Sequence, residues 1–253
     1  MSREVIVIYL KVLGYYGGYP YNDVGTSSYL LTSNNYNLMI DCGSGDLISL
    51  ENNIDPLMLD SVLISHYHHD HMADIGVLQY YWQLHNKRPN KSILPIYGND
   101  TDLNMVKSFN WPNSTVGKSY NAGSVLNLGP FEIIFKEVHH PVPSFAMRIL
   151  EKSTNKVLVY TSDTYYFDEL VDFSKNSDLL ITDTNFYGDK KGKKWHMTSE
   201  ESGLLAKNSN SKKLLLSHLP QYGDLNILLN EAKEKSSNDV EVLLAKLNLS
   251  IEI

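Results

Sequence analysis

The sequence of 253 residues contains a single cysteine and no long apolar run. Because one thiol cannot form an internal disulfide, we expect a protein of the reducing cytoplasm, with Cys42 as a small buried residue. No segment reaches the roughly 18 to 20 apolar residues that a membrane-spanning helix needs, so we expect no membrane partner. The apolar residues 5–10 are too short for a signal-peptide core and predict a first strand.

The sequence has no long linker rich in proline, glycine or serine, and it has no repeat of fixed period. We therefore expect residues 1–253 to form one domain. Gly14, Gly17 and Gly18 do not have the GxGxxG order, which favours a close-packed loop over a dinucleotide site. The formal net charge of −7 argues against a protein that coats nucleic acid. The lysine-rich residues 190–194 predict a solvated loop, with phosphate contact as the alternative.

Six short apolar runs each end at a polar side chain. The residues at these ends are Asp41, His66, the pair His139 and His140, Asp163, Asp183 and His218. Such runs predict buried strands in sheets that are covered on both faces, and strand ends of α/β sheets converge at one rim. Helices are predicted over residues 70–84, 165–173 and 222–235, and a capping box at Thr198 predicts a further helix through Asn208.

The most informative segment is residues 66–71, which hold four histidines and one aspartate. His66 and His68 are separated by one residue, so in an extended chain they point to the same side and can share a metal ion. Asp70 and His71, at the start of the predicted helix, diverge from that pair and suit a second ion. Imidazole and carboxylate without thiolate favour zinc, although manganese or iron would also accept these ligands. We interpret His85, outside these clusters, as an ordinary core or surface residue.

This HxHxDH run resembles the hallmark of the metallo-β-lactamase superfamily, and the resemblance covers nearly the whole chain. It implies an α/β fold, the αβ/βα four-layer sandwich, in which two sheets pack face to face with helices outside. Within the superfamily the chain looks most like the ribonuclease Z group, through residues 13–14, 26–30, 41–45 and 140–148. In that group the aspartate at the position of Asp41 supports a histidine ligand, and the chains form homodimers.

The resemblance also implies a complete ligand set for two divalent metal ions, Zn²⁺ in the first place and Mn²⁺ as the alternative. The implied ligands are His66, His68 and His140 for one ion, Asp70, His71 and His218 for the other, and Asp163 as the bridge. His69 and His139 are left over, as packed residues or as hydrogen-bonding supports of the ligands.

Ribonuclease Z enzymes carry a glutamate that orients a histidine, and this histidine donates a proton to the leaving group. Residues 181–186 resemble the first motif with the shorter Asp183 in place of glutamate, and residues 196–198 resemble the second. The resemblance therefore implies phosphodiester hydrolysis in which Asp70 orients the attacking water and accepts its proton. His196, positioned by Asp183, would protonate the leaving alkoxide.

The substrate prediction departs from that group. Its transfer RNA-binding arm lies between the third-histidine motif and the bridging aspartate, but His140 and Asp163 are only 23 positions apart. We therefore expect a small phosphodiester, such as a cyclic nucleotide, a short oligonucleotide or a nucleotide-like ester. Transfer RNA 3′ processing and hydrolysis of a lactone, thioester or β-lactam remain the alternatives. A di-iron oxidoreductase would have glutamate at the position of His68, and a non-catalytic scaffold would have lost metal ligands.

Overall fold

A computed structural model describes residues 7–253, which form two mixed β-sheets with helices on their outer faces. The strands of the first half are β1 (Tyr9–Tyr16), β2 (Gly25–Thr26), β3 (Ser28–Ser33), β4 (Tyr36–Ile40), β5 (Ser61–Leu63), β6 (Leu94–Asn99) and β7 (Thr115–Tyr120). The later strands are β8 (Val125–Leu128), β9 (Phe131–Val138), β10 (Ser144–Glu151), β11 (Lys156–Tyr160), β12 (Leu179–Asp183), β13 (Lys213–Ser217), β14 (Glu241–Leu244) and β15 (Ser250–Glu252). The helices are α1 (Asp46–Glu51), α2 (His69–Met72), α3 (Ile75–Leu84), α4 (Leu103–Ser108), α5 (Asp168–Ser174), α6 (Ser199–Asn208) and α7 (Leu225–Lys235), with a 3₁₀ helix at Pro56–Met58.

Each sheet combines an antiparallel part with a parallel part. The first has the order β15-β1-β3-β4-β5-β6-β7, with β2 beside β1, and the second has the order β14-β13-β12-β11-β10-β9-β8. Strands β4 to β7 run parallel, and so do β11 to β14. Because parallel strands end at the same edge, the residues that follow them are brought to one rim of each sheet.

Alternation along the strands shows how the layers pack. In β4, Leu38 and Ile40 belong to the large core between the two sheets, whereas Met39 belongs to a smaller core with Leu50 of α1 and Leu78 of α3. The same hydrophobic cluster continues to the outer face of the second sheet, where it includes the buried leucines of the later helices, Leu170, Leu205 and Leu228. Burying each such side chain contributes about 1.5–3 kcal/mol. The layer order is thus helix, sheet, sheet, helix, and the predicted αβ/βα four-layer sandwich is confirmed.

The single helix predicted over residues 70–84 is wrong, because the chain forms α2 and α3 with a break between them. The break has a tertiary cause. The backbone N–H of Asp74 donates to the carbonyl oxygen of Cys42 at 3.1 Å. The N–H of Cys42 donates in turn to the carbonyl oxygen of His71 at 2.8 Å. These bonds tie the helical segment to the chain beyond β4, and local periodicity does not reveal them.

Other element boundaries also differ from the prediction. Of the predicted first strand, residues 5 and 6 lie outside the described residues, and β1 begins at Tyr9 and includes Gly14. The helix predicted from residue 165 begins at Asp168, because Phe167 is extended. The helix predicted from residue 222 begins at Leu225, since the Asp224 side chain caps it by accepting from the N–H of Asn226 at 2.9 Å. The capping box that starts α6 is confirmed.

Among residues 7–253, no helix combines the length and the apolar character that crossing a membrane requires.

Asp178 provides a stability test away from the rim. Its carboxylate accepts from Lys212 Nζ at 2.7 Å, the N–H of Val157 at 2.9 Å and Lys156 Nζ at 3.2 Å. Burial opposes ionisation, but these donors outweigh it and lower the pKa of Asp178. A group whose pKa is depressed by folding stabilises the protein above its unfolded-state pKa of about 3.9, and this contribution is lost as the pH falls through the lower folded-state value.

We therefore expect Asp178→Asn to lower the free energy of unfolding at pH 7 by about 1–3 kcal/mol. Urea unfolding from pH 7 to pH 2.5 should show the difference from wild type shrinking below pH ~4. The control is Asp172→Asn, because Asp172 pairs with Lys175 at 2.6 Å but its side chain is 72% exposed. That change should leave stability unaltered. A difference at Asp178 that stays constant with pH would contradict the charge-based explanation.

Candidate metal centre

Three histidine nitrogens meet at the rim between the two sheets. His68 Nδ1 lies 3.2 Å from His66 Nε2 and 3.0 Å from His140 Nε2. Two nitrogen ligands of a tetrahedral zinc ion stand about 3.3 Å apart, given Zn–N bonds of about 2.05 Å. Asp163 Oδ2 completes the group, at 3.6 Å from His66 Nε2 and 3.9 Å from His140 Nε2. The four side chains are spaced as ligands of one cation.

A second group lies beside the first and shares Asp163 with it. Asp163 Oδ1 lies 3.3 Å from His71 Nε2, and Asp163 Oδ2 lies 3.2 Å from His218 Nε2. Asp70 Oδ2 lies 3.3 Å from His218 Nε2 and 3.6 Å from His71 Nε2. The structure thus brings together all seven residues that the resemblance implied as ligands, with Asp163 placed to bridge.

Two buried atoms of this centre point to a ligand from outside the chain. Among the described residues, His71 Nε2 and Asp163 Oδ1 have no hydrogen-bond partner, although they lie only 3.3 Å apart. A buried polar atom without a partner costs about 1–3 kcal/mol, and coordination of a cation would satisfy both atoms. Imidazole nitrogens and carboxylate oxygens without a thiolate suit Zn²⁺ or Mn²⁺. The residues present therefore fit two divalent cations.

The electrostatics of the centre also favour cations. Burial lowers the pKa of His66 well below its usual range, which keeps the imidazole neutral as a metal ligand must be. Burial opposes the ionisation of Asp163, but the facing imidazoles, His218 first, hold the pKa of this carboxyl well below its usual range. Burial likewise disfavours charge on His218, yet Asp163 and Asp183 raise the pKa of His218 to about 10. A cation between these groups would take the place of that proton.

Asp41 orients His71 from behind the centre. The buried carboxylate of Asp41 accepts from His71 Nδ1 at 2.8 Å, which turns Nε2 of the ring towards the shared carboxylate. Asp41 also accepts from the N–H of Ser65 at 2.7 Å, from Ser65 Oγ at 2.8 Å and from Tyr160 Oη at 2.9 Å. The sequence pointed to Asp41 as a support for a histidine, but it gave no signal for Ser65 or Tyr160.

Asp183 binds two histidines at once. Its Oδ2 lies 2.7 Å from His196 Nδ1, and its Oδ1 lies 3.2 Å from His218 Nδ1. The N–H of Thr164 also donates to Oδ2, at 3.0 Å. Burial disfavours charge on His196, but Asp183 outweighs it and raises the pKa of His196 above its ordinary value. The contact between Asp183 and His196 is therefore made even though aspartate is one methylene shorter than glutamate.

The backbone is strained where three strands reach the centre. Asp41, Ser162 and His218 follow β4, β11 and β13, and their φ angles are 57°, 53° and 51°. For residues other than glycine this left-handed conformation costs about 1–2 kcal/mol. It turns the chain sharply at each strand end, which is common where a fold fixes functional side chains.

The glycine loop after β1 packs against the centre, as the sequence predicted for a close-packed loop. The N–H of Gly18, whose φ is +76°, donates to Asp70 Oδ2 at 2.7 Å. A Cβ on Gly17 would lie 2.6 Å from His218 Cε1 and 2.5 Å from Asn185 Nδ2. No side chain fits at Gly17 unless His218 or Asn185 moves.

We expect Gly17→Ala to displace His218 and to lower metal affinity and turnover by about 10- to 100-fold, as perturbed supports of metal ligands commonly do. Zinc titration and initial rates measure this effect. Gly76→Ala is the matched control, because its added Cβ meets nothing within 4 Å and the residue lies inside α3. Alanine suits a helix better than glycine, so this control should be as active and at least as stable. Equal behaviour of the two variants would contradict the packing argument.

The remaining histidines lie outside the centre. His69 is exposed on α2. His139 is exposed and stacks on Tyr165, with ring centroids 5.0 Å apart. His85 is exposed beyond α3, where its Nδ1 lies 2.7 Å from the carbonyl oxygen of Tyr81. Cys42 is fully buried, as predicted.

The fold and the two adjoining His/Asp groups define a class, the hydrolases of the metallo-β-lactamase fold. Residues 36–219 match the family model described as "Beta-lactamase superfamily domain". The chain belongs to the β-lactamase superfamily. The predicted superfamily and the enzyme class, a metallo-hydrolase, are thereby confirmed.

Similar proteins agree with this assignment. The "Probable metallo-hydrolase YhfI" of Bacillus subtilis is 42% identical over 235 residues, which cover 92% of this chain and 96% of YhfI. The crystal structure of YhfI has a TM-score of 0.91 at 41% identity, covering 98% of this chain and 100% of that one.

Two more distant structures share the fold. Human tRNase Z, short form, has a TM-score of 0.73 at 19% identity and covers 96% of this chain and 98% of its own. A diphosphatase from the PhnP family has a TM-score of 0.75 at 15% identity, and the match covers 97% of this chain and 98% of the diphosphatase.

Proposed function

We propose that this protein uses two divalent cations, Zn²⁺ in the first place, to hydrolyse small phosphodiesters such as a cyclic nucleotide, a short oligonucleotide or a nucleotide-like ester. The observation that carries this proposal is the pair of Asp183 and His196, joined at 2.7 Å at the edge of the metal centre. Hydrolysis of a phosphodiester releases an alkoxide, which is a poor leaving group without a proton donor. An acid held beside the cations is therefore the part that this reaction needs.

The two ligand groups would hold the cations. When bound, such a pair lowers the pKa of water towards roughly 7 and neutralises charge on the oxygen atoms of phosphorus. Asp70 has the first role among the residues of the chain. Its carboxylate lines the cavity and accepts from the N–H of Gly18, so its position is fixed for orienting the attacking water and accepting its proton.

His196 has the second role. Its Nδ1 is held by Asp183, which leaves Nε2 as the nitrogen available to a substrate. The ring lines the same cavity, of about 270 Å³, as Asp70 and His68. His196 is therefore placed to protonate a leaving group on a phosphodiester bound at the cations.

A competing role for this pair is metal binding, because Asp183 and His196 also lie close to Asp163 and His218. The hydrogen bonds favour the positioning role. Asp183 Oδ1 faces His218 Nδ1, while Oδ2 accepts from the N–H of Thr164 and faces His196 Nδ1. Both oxygens are thus already engaged, so we assign Asp183 to positioning and His196 to proton donation.

The interval between His140 and Asp163 supports the proposal of a small substrate. In the structure this interval holds β10, a turn of residues 152–155 and β11, which pair as a tight antiparallel hairpin. No inserted arm stands between the two strands. Transfer RNA 3′ processing, the activity of the group that the motifs resemble, therefore stays the second candidate.

The proposal is tested with a substrate panel and protein of measured metal content. The panel comprises bis-p-nitrophenyl phosphate, 2′,3′- and 3′,5′-cyclic nucleotides, unprocessed transfer RNA, a lactone and a thioester. We expect turnover of the small phosphodiesters that stops on chelation and returns with Zn²⁺. Activity on the lactone or thioester alone would overturn the proposal.

A further inference from the structure

A second cavity adjoins the one that contains the metal centre. It has a volume of about 350 Å³ and is lined by Tyr165, Lys193, Lys194 and Trp195 among others. Trp195 also lines the cavity of the metal centre. The second cavity therefore shares Trp195 with the cavity in which a scissile phosphate would lie.

Trp195 is anchored to the metal centre through its backbone. Its carbonyl oxygen accepts from His140 Nδ1 at 3.4 Å, and His196 is the next residue. The residue nevertheless stays 36% exposed, with the Tyr165 ring centroid 6.4 Å away. The contact with His140 thus holds the Trp195 backbone beside the metal centre, while the partly exposed indole ring lines both cavities.

The side chains around the ring match a flat ligand with polar edges. Lys193 Nζ lies 4.5 Å from the centroid of the Trp195 ring, so an ammonium group covers this electron-rich face and a base that stacks there displaces the flexible lysine to the side. Lys194 Nζ lies 2.7 Å from Glu201 Oε1, which places a donor and an acceptor on the wall of the same cavity. A nucleobase presents both a π face and hydrogen-bonding edges, whereas an acyl chain would match the ring alone.

We propose that Trp195 is the stacking platform for the base of a nucleotide whose phosphodiester lies in the metal centre. This inference rests on the proposed function and adds the residue that would bind the base of such a nucleotide. Trp195 then determines specificity: it binds the base and takes no part in the bond-breaking step. Lys193 and Lys194 flank the stacked base and meet its polar edge.

Binding by the zinc-loaded protein tests the platform without turnover. Adenosine 5′-monophosphate and ribose 5-phosphate are titrated calorimetrically into the wild type, Trp195→Ala and Trp195→Phe. Replacing the aromatic side chain under a stacked base with alanine usually weakens binding by about 5- to 100-fold. We expect this loss for the nucleotide in Trp195→Ala. Ribose 5-phosphate should bind all three proteins equally, and Trp195→Phe should recover most of the nucleotide affinity. The alanine variant keeps the backbone carbonyl at His140, so its zinc content should be unchanged.

Tyr80→Ala is the matched control, because Tyr80 is 52% exposed and lines neither cavity. It should bind both ligands as the wild type does. A wild type that does not prefer the nucleotide over ribose 5-phosphate would overturn the inference, and so would equal weakening of both ligands in Trp195→Ala.

The kinetic comparison separates this inference from the proposed function. For a 3′,5′-cyclic nucleotide, Trp195→Ala should raise KM, and kcat/KM for the corresponding abasic cyclic phosphate should stay unchanged. A wild type inactive on every phosphodiester would refute the proposed function, while the calorimetry would still decide on the platform. Equal losses on both cyclic phosphates would refute the platform alone.

Discussion

Asp163→Ala is expected to lose both cations and to reduce turnover by at least about 10⁴-fold. The proposed reaction depends on the cations, which activate the attacking water and neutralise charge on the phosphate. Among residues 7–253, Asp163 is the one ligand candidate common to the two groups that would hold separate ions. Its Oδ1 faces His71, and its Oδ2 faces His66, His140 and His218. Metal content by inductively coupled plasma mass spectrometry should fall from two per chain to less than one.

The control for this prediction is Asp172→Ala, which removes a carboxylate that is 72% exposed. It should keep both cations and full turnover. Circular dichroism of both variants checks that the sheets have formed. A folded Asp163→Ala protein that binds two zinc ions with wild-type affinity would show that the ions are held elsewhere.

His196→Ala should lose about 10²- to 10⁴-fold in turnover while keeping both cations, since removal of a general acid has effects of this size. The loss should depend on the leaving group. A 3′,5′-cyclic nucleotide releases an alkoxide and should show the full effect, whereas bis-p-nitrophenyl phosphate releases a stable phenolate and should show little. Rates with both substrates, together with metal content, measure the prediction.

Asp183→Asn provides a companion variant to His196→Ala. The amide introduced by this change would still reach His196 Nδ1 and the N–H of Thr164, but it would carry no charge to stabilise the imidazolium. We expect an intermediate loss with the same dependence on leaving group. Loss of zinc from His196→Ala, or an equal loss of rate on the two substrates, would contradict the assignment of His196 as proton donor.

The candidate site could be predicted from sequence where the chemistry is local. His66, His68, Asp70 and His71 stand within six residues, so their spacing alone indicated two metal ions. The distant partners needed the resemblance to a known family, because no local pattern links His218 to a segment nearly 150 residues earlier. The structure brings them together because the strands that precede them end at a common rim.

The residues that hold the metal ligands in place are harder to predict, because their residue types are common in strands and turns that have no such role. Tyr160 reads as one more apolar strand residue, yet its hydroxyl donates to Asp41. Gly17 reads as a turn residue, yet its missing Cβ makes room for His218. Local periodicity does not predict the break between α2 and α3, since the break depends on hydrogen bonds that Asp74 donates to Cys42 and that Cys42 donates to His71, and Cys42 lies far from both in the sequence.

We propose that two cations lie side by side between the sheets, and anomalous diffraction tests this most directly. Crystals of the wild type with Zn²⁺, measured on both sides of the zinc absorption edge, should show two peaks per chain about 3.5 to 4 Å apart. One peak should lie among His66, His68 and His140, the other among Asp70, His71 and His218, with Asp163 between them. A single peak, or peaks away from these residues, would contradict the account.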